Sequence, residues 1–265
     1  MKYINSNKLE KLDINKDNTY MILDFDRTIT SSKSCDSWDA IAKEGIVSKD
    51  IKNEMNVLYE KYRPIELDYN ISKEDKEKAM YIWYVECMNL YYKYNLSRED
   101  MIKSIRNSNL IFRDGAREFL KKINTYNIPI IILSAGIGNA IEGFLKDNGI
   151  YSENLSIISN FITFNKKGEI EKIEDEKIIN SSNKILEKHL KNHILEKIKG
   201  RDNKILVGDL IEDANMIKKS EFDKTIRIAF LDVEVEKNLN EYNKNFDIVL
   251  TNEDANFGDV EDILF

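Results

Sequence analysis

The chain has 265 residues, 42% of them hydrophobic, and a formal net charge of −7, which suits one large domain or a core with a smaller second part. The acidic balance speaks against nonspecific binding to nucleic acid polymers or to an anionic membrane surface, and no stretch is apolar for long enough to span a bilayer. The first residues predict no secretory signal, and the two cysteines, Cys35 and Cys87, read as reduced thiols of a cytoplasmic protein, expected to be a monomer or weak dimer.

In chain order, residues 1–18 are polar and predict a loose or helical arm. The apolar run Tyr20-Met21-Ile22-Leu23 then reads as a buried strand that delivers Asp24-Phe25-Asp26-Arg27-Thr28 to its end. Side chains alternate along a strand. As the backbone turns, Asp24 and Asp26 can converge on one ligand while Phe25 anchors the turn. Crowded carboxylates need a cation or a proton between them, so the pattern suits a metal-assisted site with a carboxylate nucleophile. A polar loop after a strand is the plainer alternative.

From Ser31 to about Asn109 apolar residues recur at helical spacing: Trp38, Ile41 and Ala42, then Ile51, Met55, Leu58 and Tyr59, then Met80, Trp83, Tyr84, Cys87, Met88 and Tyr91. Arg63-Pro64-Ile65-Glu66 is expected to interrupt this block, because proline biases its predecessor toward extended backbone. The aromatic stripe Tyr81, Trp83, Tyr84, Tyr91, Tyr92, Tyr94 reads as helix packing rather than a base-stacking platform.

Strands and helices then alternate. A helix opens at Asp114-Gly115-Ala116. Pro129 to Leu133 is a strand covered on both faces, followed by Ser134-Ala135-Gly136-Ile137-Gly138 and a helix to about Asn148. Further strands are Leu155–Ser159, Lys204–Val207, Thr225–Leu231 and Asp247–Leu250; Phe161 to Ile173 resembles a hairpin, and residues 183–199 predict a helix. The expected class is α/β, Rossmann-like, with a mostly parallel sheet. Its core comprises 1–30 and 111–265, and 31–110 is an inserted helical cap. His189 and His193 read as an exposed helix face, since the zinc-protease pattern needs Glu where Leu190 stands. Acid–base chemistry therefore falls to carboxylates.

Ligands of open α/β sheets bind beyond the carboxyl ends of the strands. Three such ends carry reactive groups: Asp24 with Asp26, then Ser134, then Asp209 with Asp213. Singly, Ser134-Ala135-Gly136 could be an ordinary turn and Gly208-Asp209 a turn with a helix cap; their shared order argues for one site.

On these residues the chain resembles the haloacid dehalogenase (HAD) superfamily of phosphohydrolases. Asp24-Phe25-Asp26-Arg27-Thr28 fits its first motif, Ser134 its second and Gly208-Asp209-Leu210-Ile211-Glu212-Asp213 its fourth. Lys61-Tyr62-Arg63-Pro64-Ile65-Glu66-Leu67-Asp68, Ser134-Ala135-Gly136-Ile137-Gly138 and Ser159-Asn160-Phe161 are similar to the pyrimidine 5′-nucleotidase (cytosolic 5′-nucleotidase III) family, whose third-motif lysine fits Lys184, with Lys177 as competitor.

The resemblance implies a magnesium-dependent 5′-nucleotidase acting on nucleoside 5′-monophosphates such as CMP, UMP or 7-methyl-GMP. Asp24 would be the nucleophile and Asp26 the acid–base group. Mg2+ would be held by Asp24, Asp209 and the backbone carbonyl of Asp26, with Asp213 orienting ligand or lysine. Ser134, Ala135 and Lys184 would hold the phosphate, Ser134 and Ala135 using the first turn of the following helix. No role is assigned to Arg27. Glu66, a surface carboxylate on its own pattern, matches the family's base-recognising glutamate. Gap-free alignment from Trp83-Tyr84 puts Cys87 where the family carries a serine, which leaves the base preference open. A phosphatase for another small phosphomonoester, such as phosphoserine, is the nearest alternative. A non-enzymatic phospho-acceptor is a third, against which Asp26 and the helical insertion speak.

Overall fold

Runs such as Tyr20-Met21-Ile22-Leu23 and Ile130-Ile131-Ile132-Leu133 have no polar face, and the chain buries both sides of each. The computed structural model describes residues 2–4, 12, 14–68, 70–171, 178–251 and 255–264. Among these, seven strands form one sheet in the order β1-β7-β6-β5-β2-β3-β4. They are β1 (Lys2–Ile4), β2 (Thr19–Leu23), β3 (Ile130–Ile137), β4 (Leu155–Asn160), β5 (Asn203–Gly208), β6 (Thr225–Phe230) and β7 (Ile248–Leu250). Strands β2 to β7 pair in parallel. One layer packs Met21, Leu23, Ile132, Val207 and Ile228 against α5 (Ala116–Thr125), α6 (Gly138–Asp147) and α10 (Phe257–Leu264). The other packs Ile22, Ile131, Leu206 and Ala229 against α7 (Leu186–His189), α8 (Asn192–Ile198) and α9 (Val235–Asn245). Consecutive residues alternate between the layers, as strand geometry requires.

Between β2 and α5 lie α1 (Ser37–Ala40), α2 (Lys49–Leu67), α3 (Lys73–Lys93) and α4 (Arg98–Arg106). Ser48, Ser72 and Ser97 each accept a bond from a backbone N–H in the first turn of α2, α3 and α4, satisfying donors that a helix start leaves open. The two strands of chain joining this block to the sheet run side by side: Ser31 N–H donates to Ile111 and Arg113 N–H to Ile29, both at 2.9 Å.

Four expectations need correcting. The first residues contain a strand, since β1 pairs antiparallel with β7; an edge strand needs only backbone groups, so polar sequence does not forbid it. Pro64 lies inside α2, three residues before its end. Proline removes one donor and crowds the preceding turn, yet Tyr62 stacks on Trp83 with centroids 5.9 Å apart and buried Glu66 fixes the last turn. Strand β3 continues to Ile137, so α6 starts at Gly138, and Ser134 and Ala135 belong to extended chain rather than a first helical turn. The segment 183–199 forms two short helices separated by extended Leu190 and Lys191. Short helices take their stability from packing, and here Leu186 and Ile194 anchor the two pieces separately. His189 is half-buried and His193 exposed on different helices. The hairpin holds in its described part, where Phe164 pairs antiparallel with Ile170.

Candidate active site

Strand β2 ends at Leu23, and the next residues make a tight reversal. Phe25 is fully buried, while Arg27 takes φ +61, a left-handed conformation uncommon outside glycine. Two contacts hold it: Arg27 N–H donates to Thr30 Oγ1 at 2.9 Å, and the Arg27 carbonyl accepts from Arg113. Arg113, itself buried, also donates to the Thr28 and Ala255 carbonyls and pairs with Asp232 at 2.7 Å. The reversal therefore rests on a buried guanidinium from the far side of the insertion.

This reversal splits the two aspartates. Asp24 faces Lys184, whose Nζ lies 2.6 Å from Asp24 Oδ1 and 2.6 Å from Asp213 Oδ1. Asp26 turns to Ser37, which donates its N–H to Oδ1 at 2.8 Å and its hydroxyl to Oδ2 at 2.6 Å. Ser37 Oγ in turn accepts from Ile137 N–H at 3.1 Å. Gly136 makes this packing possible, since a Cβ there would stand 1.9 Å from Ser37 Oγ. Burial, with Asp36 and Asp24 nearby, pushes Asp26 up to about 7 against the pull of the Ser37 bonds. Burial raises Asp24 to about 6, although Lys184 opposes it. Lys184 moves up despite burial, because Asp213 and Asp24 favour its charge.

Strand β5 delivers Asp209 to the same tip. Burial first, then Asp213 and Asp24, hold Asp209 well above the usual carboxylate range. Asp213 is fully buried and accepts the N–H groups of Asp209 and Leu210 on Oδ2, each at 3.0 Å. Asp24, Asp209 and Asp213 each offer a carboxylate oxygen, all within 4.8 Å of one another. Mg2+ takes oxygen ligands and is commonly bound through one or two carboxylates. An all-oxygen donor set carrying three acids against one shared lysine fits such an ion. Asp213, expected to orient ligand or lysine, pairs with Lys184, accepts two backbone N–H groups and also presents an oxygen to this triangle.

Above the cluster is a cavity of about 320 Å³ whose lining includes Asp24, Asp26, Ser134, Ala135, Lys184 and Asp209 on the sheet side and Glu66, Trp83, Tyr84 and Cys87 on the helical side. Of the residues expected at the site, these eight line one space, Asp24, Asp26, Ser134, Ala135, Lys184, Asp209, Glu66 and Cys87, while Asp213 stands behind them and is not part of the lining. Ser134 is buried and accepts from Gly136 N–H at 3.0 Å. Glu66 is 5% exposed rather than a surface carboxylate, and it pairs with Arg63. Trp38, Tyr84 and Trp83 make edge contacts, so the stripe packs through Trp83, Tyr84 and Tyr91, with Trp83 and Tyr84 also lining the cavity, whereas Tyr81 and Tyr92 are exposed. Burial raises the Cys87 thiol to about 12, leaving it protonated. Both cysteines are free thiols. Lys177 lies outside the described residues.

Among the lining residues that were not foreseen are Arg27, Ser37's neighbour Asp36, Arg63 and Ser181. Arg27 lines the cavity from a backbone reversal at positive φ, which alternation along a strand cannot foretell; burial disfavours its charge, and Asp209 with Asp36 restores it. Ser181 Oγ is buried without a hydrogen-bond partner among the described residues. Ser37, which grips Asp26, also went unnoticed; its position eleven residues on gives no local signal.

With this geometry in hand, relatives are informative. The pyrimidine 5′-nucleotidase (UMPH-1) family description matches residues 24–264. The 7-methylguanosine phosphate-specific 5′-nucleotidase of Homo sapiens is 28% identical over 245 residues, covering 90% of this chain and 81% of that protein. The putative cytosolic 5′-nucleotidase 3 of Caenorhabditis elegans is 32% identical over 205 residues, covering 73% of this chain and 52% of that protein. The crystal structure of cytosolic 5′-nucleotidase IIIB bound to cytidine superposes with a TM-score of 0.82 at 26% identity, covering 98% of this chain and 88% of that one. A phospho-aspartyl intermediate analogue of phosphoserine phosphatase shares the fold, with a TM-score of 0.55 at 20% identity, covering 94% of this chain and 99% of that one. The chain belongs to the pyrimidine 5′-nucleotidase (UMPH-1) family.

Proposed function

We propose that this enzyme is a magnesium-dependent 5′-nucleotidase that removes phosphate from nucleoside 5′-monophosphates through an aspartyl-phosphate on Asp24. The observation that carries the reading is one cavity with two ends: Asp24 tied to Lys184 at 2.6 Å beside Asp209 and Asp213, and Glu66 with Trp83 on the opposite, helical wall. The first end suits a phosphoryl group and the second a base. Candidate bases are cytosine, uracil and 7-methylguanine; one relative is named for 7-methylguanosine phosphate and another was crystallised with cytidine.

Asp24 would attack phosphorus, the bond to the ribose 5′ oxygen would break, and Asp26 would give that oxygen its proton. The Asp26 carboxylate would then take a proton from water, whose oxygen attacks the aspartyl-phosphate and restores Asp24. A pKa near 7 for Asp26 suits both directions of transfer. Lys184 would neutralise Asp24 as the dianion approaches, and Ser134 with the Ala135 N–H would hold phosphate oxygens. Asp24 and Asp209 would hold Mg2+ through carboxylates and Asp26 through its carbonyl, with Asp213 fixing the Asp209–Leu210 backbone. Bound there, the ion would offset the repulsion between carboxylates and phosphate.

Residues 31–110 would act as a cap over this site, with Ser31–Ile111 and Ile29–Arg113 as its paired linkers. No described helix is long and apolar enough to cross a membrane. A cytoplasmic monomer or weak dimer acting on a small nucleotide, without a nucleic acid polymer as partner, completes the reading. Hydrolysis of CMP, UMP, 7-methyl-GMP and phosphoserine should be compared with and without magnesium. Magnesium-dependent release of phosphate from at least one nucleotide, well ahead of phosphoserine, is expected. Preference for phosphoserine would overturn the reading.

A further inference from the structure

Glu66 does not face the cavity as a lone anion. Arg63, one turn earlier on α2, forms an ion pair with Glu66 Oε2; the two side chains are 17% and 5% exposed. Both line the cavity beside Tyr84, whose hydroxyl is held neutral by burial with Glu66 close by. Arg63 stays charged, because Glu66 offsets the effects of burial and of neighbouring Arg27. The backbone carbonyl of Glu66 is fixed as well, accepting from Lys76 Nζ at 2.9 Å, while that same Nζ reaches Glu212 at 3.0 Å. The pair is therefore a built part of the wall and not a loose surface contact.

Charge decides what such a wall can read. A lone buried carboxylate favours a base that carries a positive charge, as 7-methylguanine does. A carboxylate already paired with a guanidinium presents no net charge and offers donors next to acceptors. A neutral base edge with an amine beside a ring acceptor and a carbonyl, as in cytosine, matches that surface, whereas a cationic base meets the guanidinium at close range.

Resting on the nucleotide reading above, we infer that Arg63 is a specificity-determining residue: by occupying Glu66 it turns the base end of the cavity toward neutral pyrimidines and away from cationic 7-methylguanine. Asp36 and Asp39 also line the cavity, on the wall of Cys35 and Trp38. Substitution at 63 leaves them in place, so a change in preference isolates the pair.

The test is the ratio of kcat/KM for 7-methyl-GMP to that for CMP. Arg63→Met should raise this ratio at least tenfold, about 1.4 kcal/mol. Arg63→Lys, which keeps the charge, should leave it within about threefold, in line with retained pairing. Glu66→Gln placed on Arg63→Met should cancel the gain. Should Arg63→Met fold poorly, Arg63→Gln serves the same measurement, with thermal melting as the control. An unmoved ratio in the folded variant overturns the inference. So does an equal rise in KM for both nucleotides and for an aryl phosphate, which would assign Arg63 to the phosphate. If the wild-type enzyme hydrolyses aryl phosphate but no nucleotide, the nucleotide reading fails and this inference falls with it. If nucleotides turn over and the ratio stays put, this inference fails alone.

Discussion

The two ends of the cavity are built differently. At the sheet end, Asp24 and Asp209 stand at the tips of β2 and β5, neighbouring parallel strands, so their meeting follows from topology alone. Lys184 and Asp213 are then locked to them by bonds of 2.6 to 3.0 Å. At the helical end, Glu66, Trp83, Tyr84 and Cys87 come from α2 and α3, whose packing angle no local pattern dictates. Groups proposed to do the chemistry sit on a frame buried from both faces; groups proposed to choose a base sit on helices with one side open. Chemistry should therefore fail sharply and uniformly across substrates, and recognition should fail in degrees that depend on the substrate.

The sharpest break is Asp24→Asn. It keeps the shape and removes the charge of the oxygen proposed to attack, so kcat should fall roughly 10⁴-fold or more for every phosphomonoester, in keeping with the loss of other covalent nucleophiles. Stripping divalent ions with a chelator should abolish turnover on nucleotide and aryl phosphate alike, and added Mg2+ should restore both. Restoration without a divalent ion would remove the reason for three carboxylates within 4.8 Å. Ser37→Ala comes next. It deletes one of the two bonds that hold Asp26, and general acid–base contributions of about 10²–10⁴ set the ceiling. A 10- to 100-fold fall in kcat with little change in KM is expected by steady-state kinetics, equal for all substrates. A fall confined to KM would remove Ser37 from the acid–base side.

These effects trace what was legible beforehand. Strand tips could be read because apolar runs ending in acids leave few other arrangements: Tyr20 to Leu23 and Lys204 to Val207 were placed to within a residue or two, and the order of the motifs gave the cluster. Pro64 misled, because a local backbone bias was outweighed by the stacking of Tyr62 on Trp83. Ser37 and Arg63 were silent for different reasons. Ser37 acts across eleven residues through a hydrogen bond to Asp26. Arg63 acts through a helix turn whose orientation only the packed α2 and α3 define. Arg27 was hidden by a backbone reversal that breaks strand alternation.

Recognition should yield gradually. Glu66→Ala removes a carboxylate that is 5% exposed and strands Arg63 in the wall. KM for CMP should rise about tenfold, the scale of a charged hydrogen bond, with a clearly smaller effect on an aryl phosphate that has no base to place. Equal losses on both would make Glu66 a structural support of α2 and not a reader of bases.

The smallest effect sharpens the comparison most, because it adds a group instead of deleting one. Cys87 lies on the cavity wall next to Trp83, buried and with its thiol protonated. Sulfur donates and accepts hydrogen bonds weakly. Cys87→Ser supplies a hydroxyl of similar size at the same point, and a net hydrogen bond is worth about 0.5–1.5 kcal/mol, or about two- to tenfold in KM. The gain should appear for whichever nucleotide places a polar ring edge there. It should be absent for aryl phosphate, and kcat should stay as it was for each, since residue 87 stands on α3 and not on a strand that carries a proposed catalytic group. A change in kcat shared by all substrates would mean that the helical wall reaches into the chemistry, and the division between the two ends of the cavity would no longer hold.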